Sequence, residues 1–267
     1  MGHPVTGTTS RSYRWRDDPF LGWRAATYLA LFVLAAVAWW LTASRVSDMD
    51  MAMGPPGTLA LFMVTWVVMM AAMMFPSVAP MVATYVSVQR GRRARQLPAP
   101  AAATAFFVSG YLLAWSTVGL LCYLLLRAGD QLVGGSMFWH DNGRWLAAVV
   151  LLGAAAYELT PAKYACLSRC RGPISFILDS WRDGRWGALR MGGAQGLWCV
   201  GCCWGLMAAL ITLGMMSLGW MALVALLIAV EKLIPWRRAG TSVVTGTLVL
   251  LAVGVAFGPD SIPGLRV

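Results

Sequence analysis

Charge is scarce in this sequence. Charged residues make up 12% of the 267, and only 11 of them are acidic, against roughly 25% charged in soluble domains. Histidine is scarcer still, at two residues. So few imidazoles exclude a His-paired haem and a catalytic zinc site of the His-rich kind. They also leave no Ser–His–Asp set, since one of the two is the near-terminal His3. No Gly-x-x-x-x-Gly-Lys stretch is present to cradle phosphates, so neither an ATP-driven pump nor a nucleotide cofactor is expected. The six cysteines do not make an extracellular disulfide framework. Cys166 and Cys170 fall in a loop expected to face the reducing cytoplasm, and Cys122, Cys199, Cys202 and Cys203 fall inside apolar stretches.

Apolar residues are what the chain has in excess. They reach 59%, with 14 Trp and 16 Met. A soluble globule of this length could not hide that much apolar surface, whereas lipid solvates it. The predicted fold class is therefore all-α, a polytopic transmembrane helical bundle. Seven spans are expected near residues 24–43, 58–75, 101–126, 145–160, 193–213, 218–234 and 241–257. Most reach the ~20 residues that a ~30 Å hydrocarbon core requires. The fourth and sixth apolar runs stop at Leu159 and Val230, and each needs its Glu-bearing end to complete the span. Residues 1–23 read as a mobile polar tail, 24–258 as one membrane domain and 259–267 as a short outer tail. The first apolar run exceeds the 7–15 residues of a signal-peptide core, so it reads as a retained anchor.

The basic residues orient the bundle. With the N-terminus inside, the cytoplasmic segments hold Arg11, Arg14, Arg16 and Arg24, then Arg90, Arg92, Arg93 and Arg95. They also hold Lys163, Arg169, Arg171, Arg182, Arg185 and Arg190, then Lys232, Arg237 and Arg238. The outer segments hold only Arg45, Arg127, Arg144 and Arg266. This bias alternates correctly across all seven spans and places the C-terminus outside. The net charge of +10 is thus a topology signal, with attraction to anionic lipid as a secondary effect. Nucleic-acid binding is not expected, because the basic residues are divided among four segments. Pro161–Arg190 reads as the longest loop. Its Pro173–Trp181 segment is apolar on one side, either an interfacial helix or a connector packed on helix ends. Pro76 and Pro80 are expected to kink a second helix that continues towards Val88. Gly192, Gly196, Gly201 and Gly205 in the fifth span stand at small-residue spacing suited to close helix packing.

Thiol spacing carries the chemistry. Cys166-Leu-Ser-Arg-Cys170 places two thiols on one helical face. Trp198-Cys-Val-Gly-Cys-Cys-Trp204 does the same for Cys199 and Cys203, with Cys202 beside them. The two groups meet at one expected depth, since Cys199 lies about 13 Å along a helix from Arg190. Thiolates suit copper(I), zinc or iron–sulfur clusters. Cys122 has no neighbour of this kind and reads as a small buried hydrophobe. Glu158 and Glu231 stand at a similar level. An acid inside a span is a functional hypothesis by default, and the alternative is that each pairs with Lys163 or Lys232.

Methionine supplies a second donor set. Ser47-Asp-Met-Asp-Met-Ala-Met53 presents Met49, Met51 and Met53 in an outer loop, where they serve no evident packing purpose. Thioethers bind copper(I) without deprotonation. Met69, Met70, Met73 and Met74 follow in the second span, with Met207, Met215 and Met216 farther along. They suggest a path from outer thioethers to inner thiolates, or adaptable packing. His140, with Met137 and Asp141, is either part of a metal capture site or incidental.

Several of these segments occur in an order that resembles a known family. They are Tyr157-Glu-Leu-Thr-Pro-x-Lys163, Cys166-x-x-x-Cys-Arg-Gly-Pro173, Gly187-Ala-Leu-Arg-Met-Gly192, Cys199-x-Gly-Cys-Cys-Trp204 and Glu231-Lys-x-x-Pro-Trp236. The interrupted run Met69-Met-Ala-Ala-Met-Met74 before Pro76 belongs with them. Over roughly residues 58–236 the chain is similar to a bacterial family of predicted metal-binding integral membrane proteins, a domain of unknown function. The resemblance implies metal binding and little else; the multi-pass location, expected in a bacterial cytoplasmic membrane, rests on the apolar spans and the charge pattern.

The leading expectation is a membrane protein that transports, stores or delivers a soft metal, copper(I) before zinc. Its inner site is Cys166, Cys170, Cys199, Cys202 and Cys203 with Glu158 nearby. Met49, Met51 and Met53 capture the ion outside, and Met70, Met73 and Met74 lie between. Partners would be the lipid bilayer, the ion, and a membrane metalloenzyme or metal chaperone. Two alternatives stand beside it. One is a thiol–disulfide electron carrier using the paired cysteines; the other is a structural or assembly partner with no ligand.

Overall fold

All seven apolar stretches lie in helices in the computed structural model, which describes residues 19–48, 58–133, 136–214, 217–234 and 237–257. In chain order the helices are α1 (Pro19–Asp48), α2 (Leu59–Ala94), α3 (Ala103–Val133), α4 (Ser136–Glu158) and α5 (Pro161–Arg171). They continue with α6 (Pro173–Ser180), α7 (Gly184–Gly214), α8 (Leu218–Leu233) and α9 (Arg237–Phe257). No strand occurs among the described residues. Helix is the expected answer for apolar segments, because it satisfies backbone N–H and C=O groups within the segment itself.

Five helices are long and apolar enough to cross a membrane: α1, α2, α3, α7 and α9. A sixth arises if the end of α4 and α5, bent by 67° at their junction, count as one broken span. The expected seven therefore reduce to five or six by this measure. The sixth expected span falls short because α8 has 16 residues, about 24 Å of helix against a ~30 Å core. The fourth falls short because the apolar part of α4 found here, Gly143–Glu158, ends where Leu159 and Thr160 turn the chain.

The stretch from Pro161 to Arg190 is not a loop. It contains α5, α6 and the first turns of α7. Two prolines account for this. Pro161 and Pro173 each open a helix, where the missing N–H has no partner to lose. Gly184, at φ +83°, turns the chain into α7 nine residues before the expected start. In α6, Phe176 and Ile177 are buried while Ile174 and Leu178 are exposed, so one face packs and the other is open.

Pro76 and Pro80 lie inside α2, which runs unbroken to Ala94. A proline at 76 cannot donate to the carbonyl of Ala72. The Trp39 indole of α1 donates to that carbonyl instead, at 3.1 Å. The lost bond is thus replaced across the α1–α2 contact.

Helix α7 is the spine. Just over half of its apolar window is buried, the largest share of the five, and it contacts α3, α4, α5 and α8. Its crossing with α3 is backbone on backbone. A Cβ on Gly192 would overlap the Phe107 carbonyl oxygen, and one on Gly110 would overlap that of Leu189. Gly196 meets Ala114 of α3, and Gly205 meets Ala154 and Tyr157 of α4. The glycine spacing therefore marks close packing on two sides of α7.

Candidate metal centre

The turn between α4 and α5 positions the first thiols. The side chain of Thr160 accepts the N–H of Lys163 and caps α5. The bend lays α5 against α7. Cys166 then fills the space that a side chain at position 201 would take, since a Cβ on Gly201 would stand 2.7 Å from its sulfur. Tyr157 fixes the same spot by donating to the Gly201 carbonyl at 2.6 Å. One turn on, the Cys170 sulfur reaches 3.6 Å from that of Cys202.

Three sulfurs converge. Those of Cys170, Cys199 and Cys202 all lie within 4.8 Å of one another. A trigonal ion with bonds of about 2.3 Å, the zinc–thiolate length, holds its sulfurs about 4.0 Å apart. The trio is thus near the spacing one soft ion requires. Cys203 adds a fourth sulfur 3.3 Å from Cys202. All the cysteines are free. Cys166 is packed on Gly201 and is not one of the converging three. Cys122 stands apart as a half-buried core neighbour.

Polar groups surround the sulfurs. Lys232 Nζ donates to Cys199 Sγ at 3.1 Å and to the Ser77 hydroxyl at 3.3 Å. The Tyr111 hydroxyl lies 3.1 Å from the Cys199 sulfur. Gln195 Nε2 approaches Cys170 at 3.8 Å. Copper(I) or zinc(II) held by three thiolates leaves negative charge on the centre, and a lysine at this distance offsets it. A cavity of about 40 Å³ adjoins the group, with Cys170, Cys199, Gln195 and Lys232 on its wall.

The two acids have another partner. Lys163 Nζ binds the Glu158 carboxylate and both oxygens of Glu231, the latter at 2.7 Å. All three residues are buried. Glu158 therefore sits in an ion pair with Lys163, the alternative the sequence left open, and not among the converging sulfurs. Neighbouring residues of α8 divide the work: Glu231 reaches Lys163 of α5, while Lys232 reaches Cys199 of α7. Arg171 of α5 donates to the Ile234 carbonyl just past α8, supplying a partner where helix carbonyls lack one. The end of α8 is thus tied to α5 twice.

Met70, Met73 and Met74 are buried in the same core as Cys199, Cys202 and Cys203. Met49, Met51 and Met53 lie outside the described residues, as do Met215 and Met216 and the side chains of Met137, His140 and Asp141. Sequence reasoning missed Gln195, Ser77 and Tyr111, and took Lys232 only as a partner for acids. Gln195 was within reach of it: a polar residue in an apolar stretch, four before Cys199 and so on the same helical face. Tyr111 and Ser77 come from α3 and α2, and no spacing links them to the thiols.

Comparison with known proteins gives one result. A family model described as PpoB2, copper chaperone, matches residues 63–256. No curated protein and no solved structure matches the chain.

Proposed function

This chain belongs to the PpoB2 copper chaperone family, and from that premise we propose that it is a multi-pass membrane protein that holds copper(I) inside its helical bundle and delivers it to a membrane metalloenzyme. The observation that carries the reading is the convergence of Cys170, Cys199 and Cys202 within 4.8 Å. These three residues hold the ion. Cys203 is close enough to Cys202 to take over a bond during transfer, and Cys166 supports the group through its contact with Gly201. Copper(I) is favoured over zinc because structural zinc almost always takes four ligands in a closed tetrahedron, whereas copper(I) suits a few soft donors. Binding releases thiol protons and changes no oxidation state.

The wider arrangement follows the charge pattern. The bundle lies in the cell membrane, as in the bacterial cytoplasmic membrane, with the N-terminus and the α5–α6 side in the cytoplasm. In this reading α8 and the α4–α5 pair complete seven crossings, and the C-terminus is outside. Met49, Met51 and Met53 capture the ion outside, and Met70, Met73 and Met74 line its way inward. Glu158 contributes through Lys163.

A second reading draws on the 3.6 Å between the Cys170 and Cys202 sulfurs. Two thiols that close could be oxidised to a disulfide, passing two electrons and two protons to an acceptor. One experiment addresses both. Protein purified under reducing conditions is loaded with copper(I), and copper per chain is measured by mass spectrometry. The wild type and Cys122→Ser are expected to hold a defined amount. The triple variant Cys170→Ser, Cys199→Ser, Cys202→Ser is expected to hold none. Equal copper in the triple variant refutes the centre, and a wild type that takes up no copper but cycles between thiol and disulfide supports the second reading.

A further inference from the structure

Copper binding as proposed leaves the cavity beside the thiols without a role. Its inner wall is buried, with Cys199 at 1% and Gln195 at 2% exposure, while Leu233 on its wall is 58% exposed. The cavity therefore leads from the surface of the bundle to two of the three converging cysteines, Cys170 and Cys199. Cys202 and Cys203 are not on its wall. At about 40 Å³ it exceeds the ~10–15 Å³ that one water requires, which suits one large donor atom with its attached carbon.

Its polarity is one-sided. Arg171 and Lys232 line it and no acid does. Both cations already bond to the protein, Arg171 to the Ile234 carbonyl and Lys232 to Cys199 and Ser77. They still make the wall favourable to an anion. Gln195 Oε1 is buried there with no hydrogen-bond partner among the described residues. An unmatched buried amide oxygen is unfavourable, and a visiting S–H or water proton would match it.

We infer that this cavity is a ligand-exchange port, admitting the thiol or thiolate sulfur of a copper donor or acceptor to the Cys170–Cys199 face of the bound ion. The inference rests on the copper reading of the centre. An entering thiol can donate its S–H to Gln195 Oε1, and the thiolate left when that proton is passed on suits the rest of the wall. It is soft enough for copper(I), it is anionic beside two cations, and its donor atom is a single large sulfur. A carboxylate is too hard for the ion, and a neutral thioether gains nothing from Lys232. In the exchange step the incoming thiol forms one copper–sulfur bond and Cys170 or Cys199 gives one up. The proton of the incoming thiol passes to the departing cysteine sulfur. Copper remains copper(I), so no oxidant or reductant is needed. Thiols of this kind abound in the cytoplasm, the side on which the proposed topology places α5 and the end of α8.

The test uses the full chain in detergent micelles, loaded with copper(I). Release to glutathione and, separately, to a Cys-x-x-Cys peptide is followed by rapid desalting and metal analysis. Leu233→Trp narrows the opening and Leu233→Ala widens it. Leu233 is exposed, so neither change strains the core. Both variants are expected to load like the wild type. Leu233→Trp should slow release at least tenfold, and Leu233→Ala should match or exceed the wild-type rate. Slowing with glutathione alone identifies a small thiol as the user, and slowing with both extends the port to protein cysteines. Wild-type release from Leu233→Trp with both acceptors overturns the port and leaves the copper centre standing. A wild-type chain that loads no copper overturns the centre and the port together.

Discussion

Replacing Lys163 with Met keeps the length of the side chain and removes its charge. Lys163 is 1% exposed, and its ammonium is held by Glu158 and by both oxygens of Glu231. Without it two carboxylates share one buried site. Breaking a buried ion pair by removing one partner costs about 3–5 kcal/mol, and here one deletion orphans two acids. For chains of 150–250 residues each kcal/mol moves the melting temperature by about 2–4 °C, so a fall of roughly 6–20 °C is expected. Tryptophan fluorescence during heating in detergent measures it. The triple variant Lys163→Met, Glu158→Gln, Glu231→Gln removes the orphaned charges as well. It should recover most of the loss, because neutral replacements of buried ionic groups are often close to neutral in stability. The trio also ties the Cys170 helix to the helix carrying Lys232, so the single variant should hold less copper. A wild-type melting temperature in Lys163→Met, or a triple variant no more stable than the single one, would show that the trio does not hold the fold in this way.

The helix crossing gives a paired test. Gly192→Ala places a methyl group on the Phe107 carbonyl and should destabilise the chain by at least ~1–3 kcal/mol. Gly193→Ala, whose nearest neighbour is the Gly110 oxygen at 3.8 Å, should be tolerated; equal melting temperatures for the two would mean that α3 and α7 do not cross as described. Changing Met49, Met51 and Met53 together to Leu preserves size and removes three thioethers. Copper accumulation at limiting supply should fall, and wild-type accumulation would rule out outer capture and favour the thiol redox reading. Reporter fusions after Gln96 and Asp183 should report the cytoplasm, and those after Asp50 and Val267 the outside. A cytoplasmic report after Val267 would remove one crossing.

Helix was legible in the sequence because length and apolarity are local properties. The positions of the seven apolar runs in the chain needed nothing beyond the residues themselves. The segment from Pro161 to Arg190 was misread as a loop for the opposite reason. Its residues are polar enough to lack a span signal, and its two prolines read as breaks when each in fact opens a helix. The glycines of α7 announced close packing, but only the crossing shows that Gly192 faces α3 and Gly205 faces α4.

The donor atoms were legible in the same local sense. Cys166 and Cys170 share a helical face by spacing, as do Cys199 and Cys203, and soft-donor chemistry follows from the element. Which sulfurs meet was decided elsewhere. The 67° bend at Thr160 brings Cys170, and not Cys166, to Cys202, and no count along the chain contains that angle. Glu158, assigned to the metal by its depth, pairs with Lys163 because the cap at Thr160 turns the lysine back onto it. Lys232 of α8 and Tyr111 of α3 reach the Cys199 thiol across 33 and 88 positions of sequence separation, and Ser77 of α2 holds that lysine across 155. Sequence periodicity reports which residues share a face of one helix. It carries no information on which faces meet, because that depends on side-chain volumes and backbone approach at crossings such as Gly192 on Phe107. The chain by itself therefore determined an all-helical, apolar, thiol-bearing protein. The packing of α5, α7 and α8 alone determined that three of its thiols lie within 4.8 Å of one another beside a lysine.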